Sequence, residues 1–186
     1  GIDVHIRGSE SESYIELKNF DANSYSTTLT GSTVTVDGTV GFMSSLIDMS
    51  GGGIRFKGLR YFLMEKPSGD RQKSITVCIS RNSGLKSLNV TSEKGDVYLS
   101  DIAGGIEYSI STTDSDIFLD GVRTTDIENV NSFATLTAVR GSITVKSSSM
   151  QLIKMTAEEG NITVDASTGT VSSDFITYDI KATEGA

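Results

Sequence analysis

Aspartates are the residues whose spacing in this chain could do chemistry. Asp96, Asp101, Asp114, Asp116, Asp120 and Asp126 crowd one stretch, and Asp96 and Asp116 are twenty residues apart. A chain that coils with that period would stack the two on adjacent coils, about 4.8 Å apart. Carboxylates that close repel unless water or a cation lies between them, and hard oxygen ligands with backbone carbonyls suit Ca2+. Asp96, Asp116 and Asp120 are therefore the candidate metal ligands. The stretch lacks the regular Gly and Asp spacing of calcium-filled solenoids, and Asp is also a common turn residue. The expectation is solvated corner carboxylates with a weak response to calcium or none.

The same residues carry the enzymatic alternative. Asp116, Asp120 and Arg123 could set carboxylates and a cation on one face, as β-helical polysaccharide lyases and hydrolases do. Those enzymes have more coils, and longer loops to wall a cleft, than this chain supplies, so no catalytic residues are expected. His5 is the only histidine and sits at a polar position of an alternating segment, Ile2 to Ile6, where it is expected to face solvent without a role. Cys78 is the only cysteine. It can form no intrachain disulfide or thiolate cluster, and no neighbour in the sequence would make its thiol reactive, so a structural cysteine is expected. Gly51-Gly52-Gly53 lacks the Gly-Lys-Ser/Thr ending of a phosphate loop and reads as a connector. Tyr98 and Phe118 lie between the apolar pairs Val97/Leu99 and Ile117/Leu119, so they should stack on the outer face. Such a pair either stabilises a sheet or contacts a ligand, and these two are the ligand-contact candidates. No cofactor is expected.

The elements that must position these residues are short strands. Alternation of apolar and polar residues runs through Ile2 to Ile6, Thr33 to Val36, Ser74 to Ile79 and Ser142 to Val145. With 19 Gly, one Pro, no Trp and abundant Ser and Thr, the composition suits strands joined by tight turns. Lys66 to Asp70, around Pro67, reads as a turn. The mixed spacing of Phe42, Met43, Leu46, Ile47 and Met49 between Gly41 and Tyr61 fits a short helix or an irregular loop. Sixteen Lys and Arg against 24 Asp and Glu leave a net charge of −8, which argues against nucleic acid as a partner. No apolar run approaches the roughly 20 residues that cross a bilayer.

From Leu85 onward the chain repeats. Gly95-Asp96-Val97-Tyr98-Leu99 is matched by Ser115-Asp116-Ile117-Phe118-Leu119, and Gly141-Ser142-Ile143-Thr144-Val145 by Gly160-Asn161-Ile162-Thr163-Val164. A weaker member of this series is read at Ala134-Thr135-Leu136. A second series interleaves at Leu88-Asn89-Val90, Tyr108-Ser109-Ile110, Ile127 and Ile153-Lys154-Met155. The unit is two strands and two corners in about 19–20 residues, the pattern of a β-solenoid. One coil cannot bury its apolar face, whereas stacked coils pair every strand and build a continuous narrow core.

In the order of its pieces the chain resembles a bacterial adhesin-like family of unknown function whose repeat region is called the toastrack domain. The pieces are Ser74 to Ser80, then Gly84 to Val90, then Lys94-Gly95-Asp96-Val97-Tyr98-Leu99, continued by the two Gly-x-Ile-Thr-Val units. The match is close over 70–182 and looser before it. A departure is Arg81-Asn82-Ser83-Gly84, where family members often carry proline. The resemblance implies an exported or membrane-anchored envelope protein with no assigned catalytic residues.

The resulting expectation is an all-β, single-domain β-solenoid over 1–186, irregular over 1–70 and repetitive over 71–186. It would be a non-catalytic, extracytoplasmic binding or adhesion-type module of a bacterial surface protein. A structural spacer in an envelope-stress protein is the alternative, and a polysaccharide-active enzyme a distant third. The expected partners are a cell-envelope component, a glycan or another surface protein. Membrane association is expected only through a segment outside this sequence.

Overall fold

The computed structural model describes residues 2–11, 13–18, 25–30, 33–38, 45–51, 56–62, 73–81, 85–104, 106–123, 133–165 and 177–184. Its elements are all strands: β1 (Ile2–Ser9), β2 (Ser13–Lys18), β3 (Tyr25–Thr30), β4 (Thr33–Gly38), β5 (Ser45–Gly51), β6 (Phe56–Phe62), β7 (Lys73–Ser80), β8 (Leu85–Ser92), β9 (Val97–Ser100), β10 (Glu107–Thr112), β11 (Ile117–Asp120), β12 (Phe133–Arg140), β13 (Ile143–Lys146), β14 (Leu152–Glu159), β15 (Ile162–Asp165) and β16 (Thr177–Glu184). They form an eight-stranded sheet, in the order β15-β13-β11-β9-β1-β7-β2-β6, and a six-stranded sheet, β16-β14-β12-β10-β8-β5. β3 and β4 make a separate antiparallel pair.

From β8 the chain alternates between the two sheets, one strand in each per coil, and successive coils pair in parallel register. Val97, Ile117, Ile143 and Ile162 form one inward row. On the opposite sheet Val90, Ile110, Leu136 and Met155 form another, with Leu88, Tyr108, Ala134 and Ile153 beside it. The inward positions of the inner coils are almost fully buried, each large aliphatic side chain contributing about 1.5–3 kcal/mol on transfer from water. A third inward row is polar in the first two coils. There the Ser92 hydroxyl donates to the Gly95 carbonyl at 2.8 Å, and the Thr112 hydroxyl to the Ser115 carbonyl at 2.7 Å. The hydroxyls thus hold the corner that follows and are not left unpaired in the core.

Three details depart from the two-strand, two-corner unit. Ala134-Thr135-Leu136 belongs to the second series, paired with β10 and β14, and not to the first. The step from Ile117 to Ile143 is consequently 26 residues long, and the extra length falls in 124–132. Ile127 lies there, outside the described residues, as does the turn at Lys66 to Asp70. Three of the coils also carry a short third side. After a corner of left-handed backbone at Asp101 (φ 53), Gly121 (φ 68) and Ser147 (φ 47), the chain bridges Ala103 to Arg123 and Arg123 to Ser149. Finally, where residues between Gly41 and Tyr61 are described, they form strands in place of the expected helix or loop, and Phe42 and Met43 lie outside the described residues. The apolar residues of Ser45–Gly51 lie in β5, antiparallel to β8, and Phe56–Phe62 is β6, parallel to β2.

The N-terminal strand is part of the stack. β1 lies between β7 and β9, parallel to both, with Val4 opposite Ile75 and Val97 and Ile6 opposite Val77 and Leu99. Val4 and Ile6 are fully buried, so β1 acts as one more rung of the first sheet although it comes first in the chain.

Candidate functional site

The outer face of the first sheet is built from three columns, because every second residue of each strand points away from the core. The column at the entry to the sheet is Asp3, Asp96, Asp116, Ser142 and Asn161. Each N–H at this corner precedes the strand and needs an acceptor, and the preceding rung's side chain supplies one. The Asp96 amide donates to Asp3 Oδ1 at 3.0 Å, the Asp116 amide to Asp96 Oδ1 at 3.0 Å and the Ser142 amide to Asp116 Oδ1 at 2.7 Å. The Asn161 amide donates to Ser142 Oγ at 3.3 Å. These carboxylates therefore act first as backbone acceptors, and the amide protons offset the repulsion between neighbours that share a sign.

The middle column is aromatic. His5 stacks on Tyr98 with ring centroids 4.7 Å apart, and Tyr98 on Phe118 at 4.8 Å, the ring planes of both pairs 5° from parallel. The spacing is that of the strands themselves, so each ring's face lies against its neighbour and the ring edges point outward. Tyr98 is only partly buried, and its hydroxyl donates to Asp96 Oδ2 at 3.0 Å. Loss of hydration, then this hydrogen bond, then the negative charge of Asp96, Asp3 and Asp116 push the Tyr98 phenol up to about 12. The first two columns are thus joined through Tyr98.

The third column, at the exit from the sheet, is Arg7, Ser100, Asp120, Lys146 and Asp165 in register. Arg7 Nε donates to Cys78 Sγ at 3.0 Å, and its Nη2 to the Tyr14 hydroxyl at 3.0 Å. Both contacts, the one to Cys78 first, raise the Arg7 pKa. Cys78 is buried under this guanidinium. The strand pairing brings to the cysteine a cation that is 71 residues away in the chain.

Of the expected metal ligands the structure brings Asp96 and Asp116 together and leaves Asp120 apart. Asp120 sits at the far end of β11, four residues or about 13 Å along the strand from Asp116, in register with Ser100 and Lys146. No three His, Cys, Asp or Glu side chains among the described residues are placed to share an ion. Arg123 lies beyond the left-handed corner at Gly121, exposed on the short third side. Asp114 pairs with Arg140 on the surface, which lowers the Asp114 carboxyl and raises the arginine.

Sequence reasoning found Tyr98 and Phe118 and missed that His5 and Asp3 continue their columns. A signal was present. Asp3-Val4-His5-Ile6, Asp96-Val97-Tyr98-Leu99 and Asp116-Ile117-Phe118-Leu119 share one pattern of Asp, aliphatic, aromatic ring, aliphatic. His5 does lie on the outer face, yet it is stacked and partly buried there, so it is a member of the face and not an idle surface residue.

No curated protein and no solved structure matches this chain. The family model described as Toastrack DUF4097 matches residues 1–186. Together with the parallel stack of coils, that match shows that the chain belongs to the toastrack family, a family of domains of unknown function.

Proposed function

We propose that this domain is a non-catalytic binding module working outside the cytoplasm, as the adhesin-like part of a bacterial cell-surface protein. The observation that carries the reading is the outer face of the first sheet. There His5, Tyr98 and Phe118 present ring edges beside the acceptor oxygens of Asp3, Asp96 and Asp116, all held at strand spacing by a rigid scaffold. Aromatic edges beside fixed carboxylates suit a polyhydroxylated ligand such as an envelope glycan, or a partner protein's polar strand. A non-catalytic role is supported by where the acidic groups are spent. Asp96 and Asp116 hold backbone amides, while Asp120 and Arg123 stand at a different corner.

The test is a glycan array and a surface-protein panel probed with the folded domain and with Phe118→Ala. The expected outcome is a bound glycan or protein whose signal falls at least about tenfold in the variant, with the unfolding midpoint of both proteins recorded. A signal unchanged by Phe118→Ala overturns the assignment to this face. Turnover of an anionic polysaccharide overturns the non-catalytic reading.

A second reading, a spacer that positions another domain, is favoured by the same geometry. Ring faces turned on one another and carboxylates tied to the backbone stiffen the stack whether or not anything binds. Silence on every array, with the stack intact, supports the spacer.

A further inference from the structure

The two ends of the stack are finished differently. At one end the six-stranded sheet is closed by β5, antiparallel to β8, while the larger sheet turns antiparallel at β2 on β7 and ends on β6, parallel to β2. At the other end β15 and β16 are the terminal strands, and no described strand pairs with the outer edge of β16. Ile162 and Val164 are only partly buried there, although their counterparts Ile143 and Val145 are buried. Ile180 is a large hydrophobic side chain left 50% exposed. An edge of unpaired N–H and C=O groups over a part-open core is a template for another strand.

We propose that this end pairs with the same end of a second copy, β16 against β16 across a two-fold axis. Edges related by a two-fold axis run antiparallel, the sense in which β5 closes the opposite end of the same sheet. The sequence of β16 also selects a register. Centred on Ile180, the pairing sets Ile180 against its own copy and position 179, an Asp, against position 181, a Lys, once in each half. Moving the centre to 179 or 181 sets Asp against Asp or Lys against Lys, which is unfavourable directly across a sheet. A second copy of the chain thus supplies apolar cover for Ile180 and opposite charge on either side of it.

The test is the oligomeric state of the whole chain over the micromolar range, by sedimentation equilibrium. The expected result is a dimer. Lys181→Asp should raise its dissociation constant by about tenfold or more, and Asp179→Lys combined with Lys181→Asp should restore it. Circular dichroism on each variant confirms that the strands are kept. Independently, Ile180→Cys should yield a disulfide-linked dimer on mild oxidation, since residues at the axis face each other and Cys78 is buried. A chain that stays monomeric overturns the proposal, as does a dimer indifferent to Lys181→Asp, a charge swap that fails to restore pairing, or an Ile180→Cys chain that does not cross-link.

Discussion

Asp116 shows at the scale of one residue how a conspicuous carboxylate can be structural. Its Oδ1 accepts the Ser142 amide at 2.7 Å, while its own amide donates to Asp96. What the position needs is an acceptor oxygen, and charge is secondary. Asp116→Asn keeps such an oxygen and should change stability by less than about 0.5 kcal/mol, whereas Asp116→Ala strands the amide and should cost about 1 kcal/mol. Urea unfolding separates the two. A calcium-dependent rise in the midpoint that Asp116→Asn abolishes would turn the corner into a cation site. Tyr98 makes a second residue-scale prediction. Its neutral phenol is favoured in the folded state, and its pKa is raised from the ordinary tyrosine value of 10.0 to about 12. Burial of Tyr108 raises its phenol in the same direction. A raised pKa stabilises the fold fully below the unfolded value, and that contribution is lost as pH climbs through the folded one. Thermal midpoints should therefore hold up to about pH 10 and fall between 10 and 12, and Tyr98→Phe should flatten part of the fall.

The coil corners are where the elements are most exacting. A Cβ added to Gly141 would overlap the backbone carbonyl of Ser115, and one added to Gly160 would overlap that of Gly141. Backbone at strand spacing cannot move aside without disturbing the rung above. Gly141→Ala should cost about 2 kcal/mol or more by overpacking. Gly160→Ala should cost less, because the terminal coil has fewer partners to disturb. Equilibrium unfolding of the two variants side by side checks the order. These corners were legible in the sequence as Gly before Ser-Ile-Thr-Val and Asn-Ile-Thr-Val. The irregular coil was not, because Ala134-Thr135-Leu136 alternates as well as any member of either series, and only its pairing with β10 and β14 shows which sheet it joins. The same holds for Leu46, Ile47 and Met49, whose spacing satisfies a helical turn and a strand alike. Pairing of β5 with β8 decides in favour of the strand.

At the scale of the whole molecule the first strand closes the structure. β7 and β9 do not touch as neighbours, since β1 fills the place between them and pairs with both along its length. Removing residues 1–9 takes Val4 and Ile6 from the core and exposes two facing edges in the middle of the larger sheet. The shortened chain should lose its cooperative thermal transition, and a peptide of residues 1–11 added in excess should recover it. Independent folding of the shortened chain would mean that β7 can close directly on β9. The long-range character of these pairings also makes folding slow, because loops of seventy residues or more must close before they are rewarded.

Some of this protein was settled by its sequence alone. Alternation has a period of two and repeats have a fixed offset, both local properties, so the all-β class, the coils at Val97/Ile117 and Ile143/Ile162, and the stack of Tyr98 on Phe118 follow from the residues in order. Tertiary structure decided the rest. The seat of β1, the guanidinium of Arg7 over Cys78 and the extension of the aromatic and acidic columns to His5 and Asp3 depend on which of many similar edges a strand joins. Such edges offer nearly the same backbone hydrogen bonds, and the choice among them rests on the fit of side chains far apart in the chain.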